Sequence, residues 1–167
     1  LQLFLNWLET LFVNAPWFIF LLVMVAIVYA TSRNLRIVAI TVIGMLFIGF
    51  VGLWEDTMVT LAIVTVSTLL AIVIGIPIGI LMARSDRAQA FFNPILDVMQ
   101  TMPSFVYLIP VVMVFGIGKV PGVIAVVIYA VPPMIRLTNL GIRLVDREVL
   151  EAADAFGSSP RQKLMNV

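Results

Sequence analysis

The chain has no cysteine and no histidine. Disulfides, the common zinc sites, Ser-His and Cys-His nucleophilic dyads and imidazole proton relays are closed to it, so hydrolytic or redox catalysis is not expected. Charge is scarce as well: charged residues are 11% of the 167, ten basic against nine acidic, for a net charge of +1. No Lys/Arg run with interleaved aromatics occurs, so nucleic acid is not an expected partner. What fills the space is apolar. Hydrophobic residues make up 62% of the chain and mean hydropathy is +1.15, against roughly 45–50% apolar and about 25% charged in soluble domains. So few charges cannot cover the surface of a water-soluble globule. The composition is that of a membrane protein, and at about 150 residues per domain it is one domain or part of one.

A hydrocarbon core about 30 Å thick takes roughly 20 apolar residues of helix. Five stretches meet or approach this: Pro16 to Ala30, Leu35 to Trp54, Met58 to Ala83, Ile95 to Phe115 and Val120 to Leu137. Pro16, following Asn14, suits the first helical turn, where its missing N–H costs nothing. Ahead of it, Leu1, Leu5, Leu8 and Phe12 recur at helical spacing with Phe4, Trp7 and Leu11 beside them, opposite Gln2, Asn6, Glu9 and Thr10. This pattern reads as an amphipathic helix on the membrane surface, the alternative being the end of a longer span. The chain starts at Leu1 and stops at Val167, just after a polar segment, and is expected to be a piece of a longer protein. With no basic region of a signal peptide at its N-terminus, its apolar stretches are expected in the mature protein.

Orientation follows the basic residues. With the N-terminus outside, five spans put Arg33, Arg36, Arg84, Arg87, Arg136, Arg143, Arg147, Arg161 and Lys163 on or near the inner side and only Lys119 outside, as the positive-inside rule asks. Glu55 and Asp56 are then expected in an outer loop. On this reading residues 1–14 are an interfacial amphipathic helix, 15–54 two peripheral transmembrane helices, 55–145 the core transmembrane helices and 146–167 a cytoplasmic segment. The fold class is an all-α polytopic transmembrane bundle.

Helix breakers cluster in the later spans: Gly75, Pro77 and Gly79 in the third, Pro103 and Pro110 in the fourth, Pro132-Pro133 in the fifth. A proline frees a carbonyl that lipid cannot satisfy, so such points are expected to face protein or a wet path. Gly75 and Gly79 are equally open to a second role, letting two helices pack closely. Asp97, Gln100, Thr101 and Ser104 bring polar groups and Pro103 into one apolar span, where they must be paired or wetted. Asn93-Pro94 reads as an N-cap and first-turn proline. Asp97, one turn in, is then favoured by the helix dipole, and capping or pairing is preferred over substrate contact. Gln100, Thr101 and Ser104 lie deeper and either line a path or bond helix to helix.

Beyond the fifth span the chain turns polar. Asp146 can cap a short helix from Arg147 to Phe156, Gly157 can end it in a left-handed cap, and Ser159-Pro160-Arg161-Gln162 can start another with a capping box. Val149, Leu150, Ala153 and Phe156 give the first helix an apolar face that only a partner would reward.

Here the chain resembles a known family. Glu151-Ala152-Ala153 followed by Gly157 matches the Glu-Ala-Ala-x-x-x-Gly signature of the cytoplasmic loop of ABC importer permeases. The likeness extends through Gln100-Thr101-Met102-Pro103-Ser104-Phe105-Val106-Tyr107-Leu108-Ile109-Pro110, Phe115-Gly116-Ile117-Gly118 and Tyr129-Ala130-Val131-Pro132-Pro133-Met134-Ile135-Arg136-Leu137-Thr138, which are similar to the glycine betaine and proline branch.

The resemblance implies an importer permease fold in a bacterial or archaeal cytoplasmic membrane. It also implies a partner ABC ATPase that binds the ATP, a second permease subunit, here another copy of the chain, an extracytoplasmic substrate-binding protein, and lipid around them. The chain itself would carry no cofactor, no metal and no catalytic residue. Glu151, Ala152, Ala153 and Gly157, flanked by Val149, Leu150 and Phe156, would couple to the ATPase. Gln100, Thr101, Pro103, Ser104, Phe105 and Tyr107 are the candidates for the translocation path, with Phe105 and Tyr107 able to offer a cation–π face to a quaternary ammonium, although most aromatics in such a chain anchor or pack. The same family would also accommodate choline, carnitine or another small polar solute. A different class, an ion-coupled secondary transporter or channel subunit, needs an ionisable group deep in the membrane, and only Asp97 approaches that.

Overall fold

The computed structural model describes residues 1–159 and 162–164, with every side chain among them except that of Arg147. Pro160, Arg161 and residues 165–167, which belong to the expected second cytoplasmic helix, lie outside the described residues. Among those described, all regular structure is helical: α1 (Gln2–Asn14), α2 (Trp17–Ser32), α3 (Leu35–Val51), α4 (Trp54–Arg84), α5 (Asp86–Thr101), α6 (Ser104–Phe115), α7 (Lys119–Arg143) and α8 (Arg147–Ala155). The helices fall into two compact units, Leu1–Val66 and Ser67–Val167.

In the first unit the proline ahead of α2 sets the geometry. Ala15, held extended (φ −65°, ψ 132°) as a residue before proline must be, ends α1 at Asn14, and the axis turns through 99° into α2. Pro16 stands at the N-cap of α2, one position outside the first turn expected for it. α2 and α3 form a helical hairpin whose turn uses Arg33 in the left-handed region (φ 49°) and Asn34 as N-cap, its Oδ1 accepting from the Arg36 N–H at 2.9 Å. α3 closes on Gly52 (φ 81°): the Gly52 N–H bonds the Gly49 carbonyl and the Leu53 N–H the Ile48 carbonyl, each at 3.1 Å, a Schellman turn. α4 begins at once, so Glu55 and Asp56 are not in a loop as expected. They occupy the first turn of α4, where the dipole favours carboxylates.

The amphipathic N-terminal segment is helical, and its apolar residues divide. Leu5 is buried and Leu8 and Phe12 half-buried, whereas Phe4, Trp7 and Leu11 stay exposed, Phe4 and Trp7 stacked with centroids 6.1 Å apart.

In the second unit the core is Ala71, Met82, Leu96, Val131 and Ile135. The expected span Ile95 to Phe115 is not one helix. Pro103 holds Met102 extended (φ −80°, ψ 133°), and α5 and α6 meet at 89°. Nor does Asn93-Pro94 start a helix: α5 begins earlier, capped by Ser85, whose hydroxyl accepts from the Ala88 N–H at 3.3 Å, and Pro94 lies inside it. The dipole argument for Asp97 therefore falls, and pairing takes its place. Pro77, Pro110, Pro132 and Pro133 also lie within helices that run through them. Only two described helices, α4 and α7, are each long and apolar enough to cross a membrane, or four spans if each bent pair counts as one; α3 is a shorter apolar helix.

The two openings for Gly75 and Gly79 resolve into close packing. A Cβ on Gly75 would stand 2.6 Å from Met134 Cγ, and one on Gly79 2.5 Å from Thr138 Cβ and 2.8 Å from the Ile135 carbonyl oxygen, so α4 and α7 touch nearly backbone to backbone. Gly141 has nothing within 4 Å of such a position. We predict that Gly79→Ala lowers the stability of the detergent-solubilised protein by about 1–3 kcal/mol, the cost of overpacking, and that Gly141→Ala leaves the melting temperature unchanged or slightly raised. Equal melting temperatures for the two variants would refute the close approach.

Candidate functional site

The polar segment after α7 folds into α8, a tight turn and, among the described residues, one further helical turn at residues 162–164. Asp146 caps α8 by accepting from the Glu148 N–H at 3.0 Å. At the other end the Gly157 N–H bonds the Asp154 carbonyl at 2.9 Å and the Ser158 N–H the Ala153 carbonyl at 3.0 Å, with Gly157 at φ 72°. These are the two bonds of a Schellman turn, closed by the one residue type that takes a left-handed φ without cost. The helix ends at Ala155, so Phe156 is its C-cap and not its last turn. Ser159 and Gln162 then exchange bonds, the Ser159 N–H to Gln162 Oε1 at 2.8 Å and the Gln162 N–H to Ser159 Oγ at 3.3 Å. That is the expected capping box. Lys163 reaches back to pair with Asp154, tying the second helix to the first.

The residues expected on one docking face do not all point the same way. Val149 and Phe156 are exposed, Phe156 to 91%, with Glu151, Ala152 and Gly157 exposed and Ala153 half-buried. Leu150 instead lines a cavity of about 390 Å³ with Arg84, Ile142, Val145 and Leu164. One helix therefore offers two apolar surfaces, one packed inward and one open.

Above this segment three helix ends meet at Arg143. Its guanidinium donates to the Met82 carbonyl at 3.0 Å, one of the carbonyls α4 leaves unsatisfied at its C-terminus, and to Asp86 Oδ1 in the first turn of α5 at 2.7 Å. Its Nε donates to Asn139 Oδ1 one turn back along α7 at 3.1 Å. The positive-inside count marked Arg143 only as a cytoplasmic charge. Its place in the last turn of α7, where a cation is favoured, was the available signal for more. A second tie runs from Arg136 on α7 to Asp97 on α5, with the Arg136 Nε buried and lacking an acceptor among the described residues, a cost that weakens that tie.

The path candidates gather only in part. Gln100 lines a cavity of about 230 Å³ with Tyr129 and Pro133, and Ser104 and Phe105 line one of about 370 Å³ with Leu108, Gly122, Val126 and again Tyr129. Tyr129, exposed and shared by both, was not singled out beforehand. Thr101 spends its hydroxyl on the Val98 carbonyl at 3.1 Å, and Pro103 forms the corner. Tyr107 donates its hydroxyl to the Met99 carbonyl at 2.8 Å, bracing the α5–α6 bend. No group of three or more acidic, cysteine or histidine side chains that could hold a metal occurs among the described residues.

Residues 75–167 match the family described as binding-protein-dependent transport system inner membrane component. The chain belongs to that family. It is 49% identical over 154 residues to the glycine betaine/carnitine transport permease protein of Listeria monocytogenes, covering 91% of this chain and 55% of that protein. It is 54% identical over 127 residues to the glycine betaine/proline betaine transport system permease protein of Escherichia coli, covering 76% and 36%. With the glycine betaine transport system permease protein of Bacillus subtilis it shares 49% over 127 residues, covering 76% and 45%. The chain thus spans about half or less of the length of these relatives. Family membership makes it an inner-membrane transport component, and the matched region takes in the cavities around Tyr129, the Arg143 junction and the whole helix–turn–helix.

Tyr107→Phe should cost about 0.5–1.5 kcal/mol, one hydrogen bond, and lower the melting temperature of the protein in detergent. Tyr129→Phe, whose hydroxyl has no hydrogen bond among the described residues, should leave it in place. A reversed order would mean the corner is not braced through Tyr107.

Proposed function

We propose that the chain is the membrane-embedded part of the permease subunit of an ABC importer that takes up glycine betaine, proline betaine or a related small zwitterion, carnitine included. The observation that carries this reading is the helix–turn–helix locked on Gly157, with Val149 and Phe156 left open, inside the segment that matches the family. In this reading Glu151, Ala152, Ala153 and Gly157 seat in a cytoplasmic ATPase, Val149 and Phe156 supply the apolar contact, and Leu150 fixes α8 to its own subunit. ATP is bound and hydrolysed by that partner, and this chain needs no cofactor of its own. An extracytoplasmic binding protein delivers the solute to a path formed with a second copy of the permease, lined on this chain by Gln100, Ser104, Phe105 and Tyr129.

The topology that fits this role has five crossings: α2, α3, α4, the bent pair α5 and α6, and α7. At 1.5 Å per residue, α2 and α3 are roughly 24–26 Å long, shorter than a hydrocarbon core of about 30 Å, and local thinning or snorkelling makes up the rest. The N-terminus is then outside, with α1 lying at that surface, and the cytoplasmic side receives Arg33, Arg36, Arg84 and Arg143. The pairing of Asp97 with Arg136 favours this reading over ion coupling, which needs a carboxylate available to bind and release a cation.

The test is uptake of labelled glycine betaine into liposomes holding the full-length permease, its ATPase and its binding protein. ATP-dependent uptake is expected. Gly157→Val should reduce uptake per ATP hydrolysed by roughly tenfold, the scale of one strained left-handed residue. Uptake that follows an ion gradient without ATP would overturn the proposal.

A further inference from the structure

The first unit carries a feature that transport does not require. Two apolar grooves lie on either side of Trp54, one of about 460 Å³ lined by Phe20, Met24 and Met45, the other of about 410 Å³ lined by Leu21, Met45 and Phe50. Each is lined chiefly by apolar side chains and has the volume to take part of one acyl chain. The threonines on the first groove offer it no hydroxyl donor, because Thr41, Thr57 and Thr60 spend theirs on the carbonyls of Ile37, Leu53 and Asp56. Flexible methionines suit a chain of variable shape. Trp54 has the amphipathic ring that marks the depth of lipid headgroups, and it meets Phe20 edge to face at 5.9 Å, with Phe12 joining at 6.1 Å.

The charge at the mouth selects the headgroup. Asp56 lines the first groove, Glu55 is its neighbour, and Asp56 has no basic partner among the described residues. In residues 1–66 the only basic side chains are Arg33 and Arg36, at the far end of α3. We propose that the grooves hold the two chains of one phospholipid whose headgroup bears a primary ammonium, with Trp54 between the chains and Asp56 accepting hydrogen bonds from the ammonium. An anionic headgroup would meet like charge here, and a quaternary ammonium has no N–H to donate.

The full-length permease, solubilised and delipidated, is offered phosphatidylethanolamine, phosphatidylcholine or phosphatidylglycerol, and bound lipid is counted by native mass spectrometry. One phosphatidylethanolamine should be retained in preference to the other two. Asp56→Asn should cut that preference roughly fivefold, the order of one exposed ion pair, without abolishing retention. Met45→Trp, which fills both grooves from their shared wall, should abolish retention of all three, and an unchanged circular dichroism spectrum verifies that it folds. Equal retention of the three lipids, or an Asp56→Asn variant with its preference intact, would overturn the proposal. So would a photo-crosslinker at position 45 that captures a second copy of the permease or another part of its own chain in place of lipid.

Discussion

The near-contact of α4 and α7 at Gly75 and Gly79 is the constraint on which the second unit depends. Lipid exerts no hydrophobic drive to bring two apolar helices together, so they associate by van der Waals contact and by whatever bonds close approach permits. Two glycines one turn apart bring the axes near enough for Met134, Ile135 and Thr138 to lie on α4 backbone. The same approach brings the last turn of α4 within reach of Arg143, two turns beyond Ile135 on the α7 face that lies against it, and lets the guanidinium take the Met82 carbonyl and Asp86 together. The Arg143–Asp86 pair alone is worth little, since Asp86 is highly exposed. Its value lies in satisfying a helix end that would otherwise be left open and in fixing where α8 starts, because only Leu144 to Asp146 separate the junction from that helix.

The prolines act by two different means. Inside α4, α5, α6 and α7 they are absorbed, each removing one hydrogen bond from a helix that continues. At Pro16 and Pro103 the same residue redirects the chain, because the position before it is forced extended and the helix upstream must stop. At the second of these turns Tyr107 supplies a hydroxyl to the Met99 carbonyl. A broken helix within an apolar run needs such internal satisfaction of its backbone, so the polar atoms crowded around residues 97–107 are partly structural.

Much of this could be read from the residues. The all-helical class, the cap at Asp146, the left-handed Gly157 and the reciprocal Ser159–Gln162 cap all follow from local chemistry, and local chemistry is what a sequence displays most directly. The failures were of another kind. Asn93-Pro94 carries a valid start signal, but Ser85 carries an equally valid one upstream, and a helix that already has a cap runs through a proline that packing tolerates. The continuity of Ile95 to Phe115 was inferred from hydropathy, which is blind to an 89° bend within an apolar run. Leu150 parted from Val149 and Phe156 because an apolar face wide enough to be noticed on α8 was wide enough to serve two partners. Tyr129 was not marked as a path residue because the α5 and α6 side chains that share its cavities lie 21 or more residues away in sequence, a distance no local pattern spans.

The two units differ in how they can respond to load. In the first, α2 and α3 have no internal proline, no buried ion pair and an apolar exterior, so little in their hairpin has an alternative arrangement of similar energy. In the second, α5 is held to α7 by Asp97–Arg136 and by Arg143–Asp86, both exposed enough to exchange partners with water at modest cost, and is joined to α6 by a corner with a single hydroxyl brace. A force delivered at α8 enters through the Arg143 junction and meets these weaker ties before it meets the glycine contact between α4 and α7. Motion transmitted from α8 is therefore expected first as a shift of α5 and its corner relative to α7, the two elements that bring Gln100, Ser104 and Phe105 against Tyr129.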